Sequence, residues 1–293
     1  MKRFMLSILA VLVAGALGMV QAQQPAAAAA APQGRPQPKV ASQAEYTAFQ
    51  EASAKQSPGE LELAAMEFEM KFPKSEVRSL LFLNAMRVYQ GAGNSEKTIE
   101  LGRKVLTIYP DEPDALLAIA NELASRTRDS DLDRDERLSE AMSLSQKALD
   151  SVDQHIMLPP NATPEQADGI KNLMRSMAHA AMGTVQLTKK DYPAAEKHFD
   201  TATKVNTAYP DPVVWLRLAV SREQQKKYKE ALEAASQAVT IAPAGSQAAN
   251  LARAQRDRLQ KLVEGGAPAG GATAAPSPAP TSPAPAPSSP TPQ

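Results

Sequence analysis

Residues 212–243 read PVVWLRLAVSREQQKKYKEALEAASQAVTIAP. The stretch holds Trp215, Leu218, Ala219, Tyr228, Ala231, Ala238 and Pro243 at the spacings of two helices joined by a short turn. Small residues fall where two helix axes must approach closely, and larger ones fill the space beside them. Pro243 then stops the second helix, because a proline removes a donor and collides with the preceding turn. One such unit cannot bury its apolar face alone and needs neighbours.

The neighbours are legible upstream. In 176–210, Gly183, Tyr192, Ala195, Phe199, Ala202 and Pro210 follow the same order, and Ala195 precedes Ala231 by 36 residues. In 79–110, Phe82, Ala85, Tyr89 and Pro110 fit, while Thr98 and Gly102 depart in the second helix. In 113–150, Leu116, Ile119, Ala120, Leu123, Ala141 and Ala148 fit, with about nine extra residues between the helices. In 43–73, Tyr46, Phe49, Ala64, Phe68 and Pro73 give a degenerate first unit. Prolines at 73, 110, 159, 210 and 243 mark five helix ends, spaced 37, 49, 51 and 33 apart, so two units carry insertions.

This pattern resembles the tetratricopeptide repeat over 43–264. Trp215 takes the place of the first aromatic, Leu218 and Ala219 that of the Leu-Gly pair, and Tyr228 that of the tyrosine opening the second helix. Ala231, Ala238 and Pro243 match the two alanines and the closing proline, whereas Ala235 stands for the phenylalanine and Arg222 for the first-helix tyrosine. The resemblance implies an all-α solenoid of helix-turn-helix units that binds a protein or peptide in a concave groove lined by first helices. Groove positions left over from packing would include Asn84, Arg87, Asn121, Thr184 and Arg217. The family's carboxylate clamp of lysine, arginine and asparagine is matched only in scattered parts.

Outside the repeats the composition changes. Lys2 and Arg3 precede an apolar run from Phe4 to Val20, and Val20-Gln21-Ala22 offers small residues for cleavage, as in a secretory signal peptide over 1–22. We therefore expect a bacterial periplasmic or secreted protein with no stable membrane insertion after cleavage; the alternative is an uncleaved anchor. Residues 23–42 are rich in Ala, Pro and Gln and read as a disordered spacer. Residues 265–293 contain nine prolines, no charge and no large apolar residue, and so cannot bury enough surface to offset the entropy of ordering. This tail reads as an extended spacer, a P-x-x-P ligand (Pro280–Pro283, Pro287–Pro290) or a solubilising segment. After Pro243, 246–263 form an amphipathic helix whose Leu251, Ala254, Leu259 and Leu262 are expected to close the stack. Thr163-Pro164-Glu165-Gln166 starts a long helix running toward Lys190, interrupted if Gly169 breaks it.

The chemistry is sparse. There is no cysteine, which excludes disulfides, thiolate metal sites and acylation at a lipoprotein cysteine. Thirty-two basic residues balance 32 acidic ones, so no basic footprint points to nucleic acid. His155, His179 and His198 fit structural or exposed roles, and no nucleophile–base grouping has a recognisable local signature, which argues against an enzyme and against a bound cofactor. Gly91-Ala92-Gly93 follows a helix, not a strand, and reads as an inter-helix turn. Asn161-Ala-Thr163 matches a glycosylation sequon by chance in a bacterial protein. Asp129, Asp131, Asp133 and Glu140 have the spacing of an EF-hand loop, but Arg134 stands where that loop needs glycine. A calcium-responsive module is thus an alternative to the scaffold. A structural envelope spacer that self-associates through its repeats is another.

Overall fold

The computed structural model describes residues 34–265; the signal-like segment and nearly all of the proline-rich tail lie outside the described residues. Eleven helices follow one another among the described residues: α1 (Gln43–Ser53), α2 (Pro58–Lys71), α3 (Arg78–Gly91), α4 (Ser95–Ile108), α5 (Pro113–Arg126), α6 (Arg134–His155), α7 (Pro164–Thr188), α8 (Tyr192–Val205), α9 (Pro212–Gln224), α10 (Tyr228–Ile241) and α11 (Gln247–Glu264). Each packs on the next, and first helices of adjacent units also touch: α1 on α3, α3 on α5, α5 on α7 and α7 on α9. This is an all-α solenoid of five tetratricopeptide-like units with α11 docked on α9 and α10.

Local sequence explains the helix ends. Ser42, Ser57, Asn94, Asp191 and Ser246 each accept the N–H three residues on, and Thr163 with Gln166 forms a reciprocal capping box. Phe72, Tyr109 and Ala242 leave the helical region just before Pro73, Pro110 and Pro243, as the proline ring requires of its predecessor. Pro159 and Pro210 act differently from expectation, since α6 has already ended at His155 and α8 at Val205. After α8 the buried Asn206 closes a turn of its own by bonding both the N–H and the C=O of Tyr209.

The helix-to-helix turns of three units share one device. Gly93, Lys190 and Lys226 each sit one residue before the N-cap with φ of 73°, 64° and 62°. Only the first of these is glycine, so the two lysines hold a left-handed conformation that costs a side chain roughly 1 kcal/mol or more.

The extra length of the third and fourth units goes mainly into helix. The α5–α6 connection spans only 127–133, shorter than the expected insertion, while α6 has 22 residues and α7 has 25, running unbroken through Gly169. The end of α6 and the start of α7 form a small core of their own from Val152, Ile156, Leu158 and Ala167, with Ile170 and Met174 packed on it.

The signature positions work in pairs. In the fourth unit Gly183 on α7 gives way to Phe199 on α8, which is fully buried. In the fifth, Ala219 and Ala235 take those places, both fully buried. Leu218, Ala231, Ala238, Ala195 and Ala202 are buried with them, Trp215, Tyr192 and Tyr228 are half-buried, and Pro243 is exposed. The departures at Thr98 and Gly102 have the same logic: Thr98 is buried and bonds the Asn94 carbonyl, while Gly102 clears space for Ile119 of α5. On α11 the apolar face is Ala249, Ala252 and Leu259, with Leu262 partly covered. Leu251 and Ala254 point outward instead, one step off the stripe.

Residues 34–42 lie within the stretch read as a spacer, whose first part, 23–33, lies outside the described residues. Residues 34–42 form an extended segment held against the inter-unit turns, with Arg35 N–H donating to the Ile156 carbonyl at 3.0 Å and Lys39 N–H to Glu76 Oε2 at 2.9 Å. Composition alone could not show this, because the partners lie far along the chain.

Candidate functional site

The five groove candidates all fall on first helices: Asn84 and Arg87 on α3, Asn121 on α5, Thr184 on α7 and Arg217 on α9. Several are drawn into contacts within the chain. Arg87 pairs with Asp114 of α5 at 2.8 Å, and Arg217 donates to Thr184 Oγ1 at 2.8 Å, so each links neighbouring first helices. Thr184 in turn donates to the Ala180 carbonyl, and burial holds Arg217 below the ordinary guanidinium range. Asn121 donates to the Leu117 carbonyl of its own helix, leaving its side-chain oxygen open. Asn84 is half-buried and makes no side-chain hydrogen bond to the described residues; Arg87, one turn on, is exposed. Of the five, Asn84 and Arg87 are therefore the pair best placed for a ligand.

Arg222, which replaces the first-helix tyrosine, bonds Glu196 at 3.0 Å and approaches Asp200 at 3.5 Å on α8. Burial alone pushes the Glu196 carboxyl up, but bonds from Lys227, Gln225 and Arg222 together outweigh it and hold the group below the usual carboxylate range. A packing position has become an ion-pair junction between the last two units.

The acidic loop does not gather its carboxylates. Asp129 faces Arg134 and Lys190, Asp131 caps the Arg128 N–H, Asp133 faces Arg137, and Glu140 turns to Arg103 of α4 at 2.9 Å. A calcium ion needs six or more oxygens converging on one point, and among the described residues no group of three or more acidic or imidazole side chains is so placed. Internal cations take the places that the spacing alone suggested for a metal.

His179 and His198 meet across α7 and α8 with Nδ1 atoms 3.4 Å apart. Burial lowers both imidazoles first; the neighbouring ring adds to this at His179, and Lys197 does so at His198. Two neutral rings, one donating to the other, account for the contact. His155 shares a hydrogen bond with the Tyr109 hydroxyl at 3.1 Å.

The site that sequence reading missed is buried. Glu112, at the start of α5, is 1% exposed, and its carboxylate faces the Arg35 guanidinium. Burial pushes its carboxyl up to about 7, against the pull of Arg35. The Arg35 guanidinium lies 2.8 Å from Glu112 Oε2 and 4.1 Å from the centroid of the Tyr109 ring.

No protein-family model matches the chain, and no curated protein matches it. The solved structures similar to it include a thermophilic TPR protein of Thermus thermophilus, 14% identical over 75% of this chain and 99% of that one, with a TM-score of 0.45. PilW, described as a widely conserved type IV pilus biogenesis factor, is 17% identical over 77% and 94%, with a TM-score of 0.47. PilF of Pseudomonas aeruginosa is 18% identical over 64% and 93%, with a TM-score of 0.29. The repeat assignment rests on the helix pairing and signature burial of this chain itself. No helix of the described residues is long and apolar enough to cross a membrane.

Proposed function

We propose that this chain is an exported, non-catalytic repeat scaffold that holds a protein or peptide segment against the face of its first helices. The observation that carries the reading is the continuous row of first helices bearing Asn84, Arg87, Asn121, Thr184 and Arg217, with the Asn84 amide unpaired among the described residues one turn from the exposed Arg87–Asp114 pair. Amide and guanidinium groups spaced along such a row suit the carbonyls and carboxylates of an extended peptide. The signal-like residues 1–22 support the export part of this reading.

The test is capture from the native bacterial envelope with the wild type and with Asn84→Ala/Arg87→Glu, using Lys229→Glu on an exposed second-helix face as control. A partner retained by the wild type and the control but lost by the double variant supports the reading. Equal recovery by all three sinks it.

A second reading, self-association as an envelope spacer, has its own observation. Leu63, Met66 and Met70 stand at helical spacing on the solvent side of α2, 58%, 49% and 75% exposed. Sedimentation of the wild type against Leu63→Lys/Met70→Lys separates it: a dimer lost in the variant favours it, and a monomeric wild type removes it.

A further inference from the structure

In a solenoid each unit touches only its neighbours, so small errors at successive interfaces accumulate and the superhelix flexes. One segment of this chain breaks that rule. Arg35, just ahead of the first unit, donates its backbone N–H to Ile156 at the end of α6. The Gln37 side chain donates to the carbonyl of Leu158, the Arg35 side chain crosses Tyr109 to reach Glu112, and Lys39 N–H reaches Glu76. Val40 then packs on the core of the first two units. The segment thus crosses the α6–α7, α4–α5 and α2–α3 turns in order, along one edge of the stack.

The sequence suits that role. Pro36 and Pro38 fix their own φ and confine Arg35 and Gln37 to extended conformations, so less entropy is lost on docking. The prolines lack N–H groups, and Arg35 and Lys39 supply the two backbone donors used. Gly34 is required by space: a Cβ there would lie 2.7 Å from the Ile156 carbonyl and 3.2 Å from Leu158. The receiving residues, Ile156, Met157 and Leu158, lie in the linker just past the lengthened α6, where Ile156 and Leu158 pack with Val152 and Ala167.

We propose that residues 34–41 are an intramolecular fastener, anchored by Arg35, that ties the first unit to the extension between the third and fourth and so fixes the curvature of the first-helix face. The linker between the lengthened α6 and α7 is its docking platform. Removing the Arg35 side chain leaves Glu112 buried without its counter-charge and frees the segment, while the repeats, each packed on its neighbours, stay helical.

The chain has no cysteine, so spin labels at Lys55→Cys, in the α1–α2 turn, and Lys189→Cys, in the α7–α8 turn, report the distance between the first and fourth units. Pulsed electron spin resonance is run on the full chain, on Arg35→Ala and on Gly34→Val, which blocks docking without changing charge. Circular dichroism checks the helices, and amide exchange reads the segment. We expect exchange at Arg35 to rise at least about ten-fold in both variants, and the inter-label distribution to broaden or shift. Arg35→Lys is expected to fall between Arg35→Ala and wild type. Freed amides with an unchanged distance distribution would overturn the fastener, and so would an Arg35→Ala variant whose segment stays protected.

Discussion

Two glycines of α7 should respond to the same substitution in opposite directions. Gly169→Ala adds a methyl whose nearest neighbour is Tyr209 Cε2 at 3.9 Å, an ordinary contact. Alanine is favoured over glycine in a helix by about 0.8–1 kcal/mol, so this variant should gain nearly that amount. Gly183→Ala receives the same propensity gain, but its Cβ would lie 2.7, 2.8 and 3.0 Å from three carbons of the Phe199 ring. Ordinary carbon contacts begin near 3.5 Å, so the ring or the helix must move by more than about half an ångström. Phe199 is fully buried in the cluster that holds Ala195, Ala202 and Leu218, so its ring cannot swing out to solvent without opening that core. Overpacking of this kind costs about 1–3 kcal/mol, leaving a net loss of up to about 2 kcal/mol. With a few degrees of midpoint per kcal/mol for a domain of this size, Gly169→Ala should melt about 2–3 °C higher and Gly183→Ala up to about 6 °C lower. Thermal melts followed by circular dichroism read the signs directly. Adding Phe199→Leu to Gly183→Ala should recover part of the loss, because the two positions are in contact and couple. If Gly183→Ala rose in midpoint as Gly169→Ala does, the close approach of α7 and α8 would be wrong, and with it the pairing logic of the signature residues.

Other expectations are simpler. Lys226→Gly should raise the midpoint by the equivalent of up to about 1 kcal/mol, since relief of left-handed strain exceeds glycine's added freedom in the unfolded chain; a lowered midpoint would contradict the turn geometry. The His179–His198 contact should make stability fall with acid. Both imidazoles titrate below their ordinary range when folded, so the unfolded chain takes up protons first; the contribution is complete above pH about 6.5 and is lost as pH falls below it. Urea midpoints at pH 7.5 and 5.5 should therefore differ less in His198→Gln than in the wild type, and an equal difference would remove the pair from the account. Millimolar calcium should leave the melting midpoint unmoved, because Arg103, Arg134 and Arg137 already answer the acidic loop; a rise in midpoint would restore the calcium reading. Ala231→Trp, at a fully buried helix crossing, should cost about 1–3 kcal/mol or more in the same melts, and an unchanged midpoint would contradict the two-helix unit.

Much of the architecture could be read in order along the chain because its causes are local. A proline fixes its own backbone and its predecessor's, a serine or asparagine caps the helix that follows it, and a small residue every few positions marks a close crossing. Those effects act over a turn or two, so five units, the terminal helix and the start of the long helix after Thr163 follow from sequence, while its continuity through Gly169 does not. Half of the α11 stripe was misplaced because Leu251 and Ala254 are as apolar as Ala252 and Leu259; one helical step separates inside from outside, and only the neighbour decides which is which.

The candidate site was legible as a set of positions and no further. That Arg87 would pair with Asp114 and Arg217 bond the Thr184 hydroxyl between first helices, and that Glu140 would turn to Arg103 and away from the aspartates, depends on helices far apart in sequence. The same holds most fully for Arg35. By composition it belongs to an Ala-, Pro- and Gln-rich stretch that reads as a disordered spacer, and the sequence by itself determines only that the segment is poor in apolar side chains. The tertiary structure decides that a carboxylate buried at the start of α5 and a carbonyl at the end of α6 stand where an extended chain entering the first unit must pass. Local preferences thus determined the helices, and long-range placement of charge decided what ties them together.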